Sequence, residues 1–172
     1  MASPPKHHML REIFEQPAAV LRTFEAAQMD SASCSLYQRS WKNAKLQDLS
    51  RIVIAASGTS RHAGIAGEFM IESLAGIPVD VDYASEFQFS PDRISRETLT
   101  IVITQSGETA DTILALRYSL ERGALCLGIT NTVGSTISRE THCGVHINAG
   151  PEIGVASTKV YTFTCFYFHC FF

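Results

Sequence analysis

Short apolar runs alternate with helical patterns along most of this chain. Residues 52–56 and 99–104 are continuous runs rich in β-branched side chains, as in strands buried on both faces. Further strands are predicted over residues 79–83, 124–130 and 144–148. Strands that alternate with helices indicate βαβ units. The pattern therefore predicts an α/β fold whose mostly parallel sheet is covered by helices on both faces.

Two of the predicted helices lie between these strands. Ala66, Met70 and Leu74 mark the first, which should end at Gly76 because glycine favours the left-handed conformation that closes a helix. The second is marked by the spacing of Ala110, Ile113, Leu116 and Leu120.

The N-terminal part is predicted to be helical after a linker remnant over residues 1–8, so that one domain spans 9–172. Pro17 interrupts the helical spacing, and proline suits the first turn of a helix, so two helices are predicted, over 9–16 and 17–28. Residues 29–50 are mixed and polar, with Trp41 as their expected anchor and a cap or short helix as their expected structure. The apolar face of the two helices comprises Leu10, Ile13, Phe14, Val20, Leu21 and Phe24.

One segment of the sequence occurs twice. Residues 52–60 align without gaps with residues 101–109, and both contain Ile-Val-Ile and Ser-Gly at the same positions. Each copy predicts a strand that is followed by a tight turn and the start of a helix. Ligands of open α/β sheets bind beyond the carboxyl ends of the strands, where helix N-termini favour anions. The candidate ligand-binding residues are Thr59, Ser60, Thr104, Gln105, Ser106 and Thr109.

Two further clusters of small residues follow later strands, at 131–135 and 152–159. Glu152 could be a general acid or base, although a capping carboxylate is the commoner role, and Lys159 could contact a ligand or form a first-turn ion pair. The hydroxyls of the repeated turns could likewise be ordinary caps. Two matching turns at one sheet edge favour a binding site over that alternative.

Composition excludes several classes of partner. A net charge of −3 does not suit nucleic acid or an anionic membrane as the main partner. Five cysteines without CxxC spacing predict a reduced, cytoplasmic protein with buried thiols and no metal site. Neither turn matches GxGxxG or GxxxxGK[ST], so nucleotides are disfavoured and no cofactor is predicted.

The strings at 57–60, 105–112, 129–135 and 152–159 resemble the first SIS (sugar isomerase) domain of the isomerising glutamine:fructose-6-phosphate aminotransferase family. Residues 8–17 resemble the segment that joins the glutaminase and isomerase halves of those enzymes. The resemblance covers about residues 8–161. It implies a three-layer, flavodoxin-like sandwich around a five-stranded parallel sheet, and binding of fructose 6-phosphate or glucosamine 6-phosphate.

The resemblance also implies roles for single residues. Ser60, Thr104, Gln105, Ser106 and Thr109 match phosphate-binding positions. The sugar-lining positions match Thr59, Val155 and Ser157. Ser57 stands where the family usually has cysteine, and Thr104 where serine is common, which keeps the hydroxyl.

No catalytic residue is predicted. The glutaminase domain and the second SIS domain of such enzymes have no match here, so we expect a phosphosugar-binding domain that is inactive alone. The alternatives are a stand-alone module that senses phosphosugars or regulates a partner, and an enzyme completed by oligomerisation. Residues 160–172 depart from the family and are rich in aromatics. This apolar segment is expected to require burial or to drive homodimerisation.

Overall fold

The computed structural model describes residues 7–29, 36–38, 48–89 and 93–171, so the expectations for Trp41 and for most of the 1–8 linker lie outside the described residues. The strands are β1 Leu36–Gln38, β2 Arg51–Ala56, β3 Val79–Tyr83, β4 Thr98–Thr104, β5 Leu125–Thr130 and β6 Cys143–His146. The helices are α1 His8–Met29, α2 Gly58–Ala75, α3 Ala110–Glu121, α4 Thr136–Glu140 and α5 Lys159–Phe171, and a 3-10 helix spans Phe87–Phe89.

The sheet has the order β1-β6-β5-β4-β2-β3, and its strands β2 to β6 are parallel. The predicted α/β class and five-stranded parallel sheet are confirmed. The sixth strand, β1, pairs antiparallel with β6 at the edge. Three residues are too short a run for any alternation to be recognised, and the sequence did not predict this strand.

The sheet separates two hydrophobic layers, which explains its continuous apolar strands. In β2, Ile52 and Ile54 face the layer that contains α2 and α5, whereas Val53 and Ala55 face the layer that contains α3 and α4. β4 divides its side chains in the same way. A strand that is covered on both faces needs no polar side, so its sequence is a continuous run of apolar residues.

Helix α2 lies close to the sheet because the face that packs there contains glycines, which have no side chain. A Cβ added at Gly64 would lie 3.1 Å from Ile54 Cγ2, and one at Gly67 would lie 2.6 Å from the Phe168 ring of α5. Gly76 closes the helix in the left-handed conformation, as predicted. Leu74, which helped to predict this helix, is 60% exposed.

Helix α1 is continuous from His8 to Met29, so the predicted division into two helices at Pro17 is wrong. Proline lacks the N–H that would bond the carbonyl four residues earlier, at Ile13. The Gln16 side-chain amide donates to that Ile13 carbonyl instead, at 3.3 Å. The neighbouring side chain thus satisfies the group that the proline leaves free.

The terminal helices differ in how they bury their apolar residues. Leu10, Ile13, Phe14 and Leu21 of α1 are exposed, while its Glu12 and Ala19 are buried. In α5 the buried residues with described side chains are Lys159, Val160, Phe163, Thr164, Tyr167 and Phe168. The C-terminal segment therefore completes the core through these residues, while Tyr161 of the same helix is exposed.

None of the helices within the described residues is long and apolar enough to cross a membrane.

Candidate functional site

A cavity of about 250 Å³ lies where β2 and β4 end and α2 and α3 begin. These strands are neighbours in the sheet, with Ala56 opposite Ile103, so their following turns meet at one edge. The cavity is lined by all eight predicted site residues, Thr59, Ser60, Thr104, Gln105, Ser106, Thr109, Val155 and Ser157, together with Ser57, Gly58, Ile103 and Thr112.

The β2–α2 turn presents an open helix N-terminus to this cavity. Ser57 is the N-cap residue of α2, and its side chain makes no capping hydrogen bond. Gly58 has φ +56°, a conformation that suits glycine. The first N–H groups of a helix have no partner within it, so they are free to bind an acceptor in the cavity. Ser60, in the first turn of α2, is 8% exposed.

The β4–α3 turn repeats this arrangement. Thr109 is the N-cap residue of α3 and also makes no side-chain capping bond. Its Oγ1 lies 2.8 Å from Thr104 Oγ1, and the Ser106 hydroxyl accepts a hydrogen bond from the Glu108 N–H at 3.1 Å. Gly107 has φ +69°, and a Cβ there would collide with the Ser135 side chain. The turn is thereby held against the start of α4.

Glu108 fixes the outer side of that turn. Its carboxylate accepts a hydrogen bond from the Thr136 N–H at 2.8 Å, at the N-terminus of α4. This backbone hydrogen bond is the main cause that lowers the pKa of Glu108 below its ordinary value, and Arg139 also lowers it. The Gly107 carbonyl accepts from the Ile137 N–H at 3.1 Å. Two hydrogen bonds therefore join the turn to α4.

Val155 and Ser157, in the segment 151–158, form the remaining wall of the cavity. The Glu152 carboxylate accepts hydrogen bonds from the N–H groups of Thr158 and Lys159, at 2.6 and 2.9 Å, and from the Ser157 hydroxyl at 2.8 Å. Of the two roles left open for Glu152, this geometry is that of a capping carboxylate at the start of α5.

Lys159 is directed away from the cavity. Its Nζ donates to Glu15 Oε2 at 2.9 Å and to the Pro151 carbonyl at 2.8 Å, and its side chain is 3% exposed. The ion pair expected as the alternative to a ligand contact is formed, with a partner on α1.

Thr112 was not among the predicted site residues. It lines the cavity from the first turn of α3, is fully buried, and its Oγ1 has no hydrogen-bond partner among the described residues. Its position three residues after the N-cap residue Thr109 could have indicated it. The sequence alone does not show, however, that this face of the first turn borders the cavity.

The cavity can bind an anion without a basic side chain. None of its twelve lining residues is charged. Two helix N-termini, each with partial positive charge, and several hydroxyls supply the donors. No group of three or more metal-ligating side chains lies together in the described part of the chain. The arrangement defines an α/β domain with a small polar cavity at its strand ends.

Comparison with known proteins shows the family to which this α/β domain belongs. Residues 45–172 match the model of the SIS domain, and the chain belongs to that family. It is 51% identical over 163 residues to the glutamine–fructose-6-phosphate aminotransferase (isomerizing) of Chlorobaculum tepidum, and 51% identical over 155 residues to isoform 1 of that enzyme from Rattus norvegicus.

These alignments cover 91% and 90% of the chain but 26% and 23% of the relatives. The chain thus spans about a quarter of the length of the curated relatives it matches. The C-terminal domain of glucosamine-fructose-6-phosphate aminotransferase from Francisella tularensis has a similar fold, with a TM-score of 0.83 and 36% identity. That alignment covers 97% of this chain and 48% of the other. The resemblance inferred from the motifs is confirmed.

Proposed function

We propose that this chain binds a phosphosugar, fructose 6-phosphate or glucosamine 6-phosphate, in the strand-end cavity. The observation that carries the proposal is the meeting of two uncapped helix N-termini and the hydroxyls of Ser60, Thr104, Ser106 and Thr109 around one uncharged cavity. A phosphate there would accept hydrogen bonds from these hydroxyls and from first-turn N–H groups. The names of the similar aminotransferases support a phosphosugar over other phosphate esters.

The sugar would extend towards Thr59, Val155 and Ser157. Val155 offers an apolar surface to a sugar ring, and the Ser157 hydroxyl can hydrogen-bond to it. Fructose 6-phosphate amination needs a proton-transferring group and an amine. Among the residues that the structure describes, the cavity lining contains no Lys, His, Asp, Glu or Cys. This composition supports a role in binding, with the chemistry supplied by groups outside the cavity.

A cytoplasmic location is part of the same proposal. Cys126 and Cys143 are buried free thiols on adjacent strands, and burial raises the pKa of each to about 12. Thiols so far from ionisation are poor nucleophiles, as expected of structural cysteines in a reducing compartment.

The first prediction concerns binding. Fructose 6-phosphate and glucosamine 6-phosphate should raise the melting temperature of the purified chain, since a ligand that binds only the folded state stabilises it. The double variant Ser106→Ala, Thr109→Ala should weaken binding by at least about tenfold, because hydrogen bonds to a charged group contribute about 1.5–3 kcal/mol each.

Ser73→Ala, at an exposed position of α2, is the matched control and should bind like the wild-type chain. Unphosphorylated fructose tests the role of the phosphate and should produce a much smaller shift. A folded wild-type chain whose melting curve responds to neither phosphosugar would overturn the proposal.

A further inference from the structure

The cavity has two different walls. One wall consists of the turns at the starts of α2 and α3, which carry the open helix N-termini. The other is the segment 151–158, which has no regular secondary structure before α5 begins. An anion is favoured at the first wall. The uncharged remainder of a phosphosugar must therefore face the second wall, where Val155 and Ser157 line the cavity.

The second wall is attached to α1 through a buried carboxylate. Glu12 is fully buried, and its Oε1 accepts a hydrogen bond from the Ile153 N–H at 2.6 Å. The Gly154 N–H donates to both carboxylate oxygens, at 3.3 and 3.1 Å. A buried carboxylate is costly unless hydrogen bonds compensate its charge, and here backbone donors of the segment do so.

The contact is also sterically tight. A Cβ added at Gly154 would lie 2.7 Å from Glu12 Oε2 and 3.4 Å from Met9 Cβ. The backbone of the segment thus lies directly on α1, with no room for a side chain between them.

Two carboxylates attach the segment at positions on either side of Val155. Glu12 bonds residues 153 and 154, and Glu152 bonds residues 157 to 159. Val155 lies between these attachments, and its side chain is fully exposed, so packing does not fix its position. The position of Val155 and Ser157 relative to the first wall therefore depends on both attachments.

We propose that Glu12 is a positioning residue for the sugar half of the cavity, which holds Val155 and Ser157 in place through the N–H groups of Ile153 and Gly154. This inference rests on the proposed phosphosugar binding. Helix α1 then contributes to binding, although none of its described side chains lines the cavity.

The test compares two ligands. Inorganic phosphate can use the first wall alone, whereas fructose 6-phosphate uses both. Glu12→Gln replaces one acceptor oxygen by a donor and should weaken fructose 6-phosphate binding on the order of tenfold, as expected for loss of a charge-assisted hydrogen bond. Inorganic phosphate affinity should stay within about twofold. Hydrogen exchange at Ile153 and Gly154 should become faster in the variant.

Thr162→Val is the matched control. The Thr162 hydroxyl donates to Gln16 Oε1 at 2.6 Å and so joins α1 to α5. Its backbone N–H donates to the Thr158 carbonyl at 3.2 Å, and the valine variant keeps that bond. This variant should lower the melting temperature while leaving the ratio of the two affinities unchanged. A general loss of stability would affect the two affinities in the same way in both variants. A change in the ratio of the affinities that occurs only in Glu12→Gln therefore indicates a positioning role.

If Glu12→Gln does not fold, Gly154→Ala tests the same contact from the other side, because its Cβ cannot fit against Glu12. An unchanged ratio of affinities in the folded variant would overturn the role of Glu12 and leave phosphosugar binding intact. A wild-type chain that binds neither ligand would overturn the proposed function, and this inference with it.

Discussion

Glu108 does not line the cavity, yet its carboxylate joins the β4–α3 turn to the Thr136 N–H at the start of α4. The turn supplies Ser106 and Thr109, so their positions depend on this hydrogen bond. The pKa of Glu108 is lowered because its ionised form accepts that bond. A lowered folded-state pKa means that the contribution to stability is present above the ordinary pKa and is lost as the pH falls through the lowered one.

Glu108→Gln should therefore make the chain less stable than wild type at neutral pH, with a lower melting temperature. The difference should shrink as the pH falls from neutral through the lowered pKa of Glu108, because the wild-type carboxylate then becomes protonated. Melting curves across this pH range measure the effect. Glu86→Gln, which removes one exposed negative charge, is the control, and an equal pH response in both variants would contradict the role of Glu108.

The packing of α2 between the sheet and α5 depends on two glycines one turn apart. Gly67 faces the buried Phe168 ring, and Gly64 faces methyl groups of Ile54 and Val81. Glycine lowers the stability of a helix interior by about 0.8–1 kcal/mol relative to alanine. Their presence here is explained by the close approach of the helices and strands.

Gly67→Ala should lower the free energy of unfolding by about 1–3 kcal/mol, because the added methyl overlaps a buried ring. Gly64→Ala gains the same helix propensity, and its neighbours lie at 3.1 and 3.2 Å, so its cost should be smaller. Urea unfolding of both variants measures the difference. Equal costs would mean that Phe168 does not limit the approach of α5.

The helices show which parts of the fold the sequence could predict. The runs that form β2 and β4 and the glycine that ends α2 are local signals, and they gave the correct elements. The helical spacing in α1 identified its apolar face but did not show that this face is exposed to solvent. The inward side of α1 is occupied by Glu12, whose partners lie 141 and 142 residues away, and no local pattern contains that information.

The two turns of the candidate site were predictable because they follow strands that are neighbours in the sheet. The repeated turn placed two helix N-termini at one edge, and the resemblance added Val155 and Ser157. Thr112 and Glu12 were missed because burial and long-range hydrogen bonds define their roles. Their roles at the cavity and those of the eight predicted residues remain predictions until binding is measured.

Self-association through the apolar C-terminal segment stays a prediction, and the structure adds a second candidate surface for it. Along the described side chains α5 is part of the core, whereas Leu10, Ile13, Phe14 and Leu21 leave an exposed apolar face on α1. We expect two copies to associate through this face. Burying a Phe or Leu side chain contributes about 1.5–3 kcal/mol, so Phe14→Ser with Leu21→Ser should weaken association by at least about tenfold.

Sedimentation velocity over a range of concentrations measures this association. Phe69→Ser, at an α2 position that is 70% exposed like Phe14, is the control and should associate like wild type. Association that persists in the α1 double variant would place the contact elsewhere.

The uncharged lining of the cavity has a consequence for the kinetics of binding. The field of a helix terminus is short-ranged, and the chain carries a net charge of −3, so nothing draws a phosphate dianion towards the cavity from a distance. Association should then depend little on ionic strength, unlike capture by a cluster of arginines. Differences in affinity between ligands should then appear mainly in their dissociation rates.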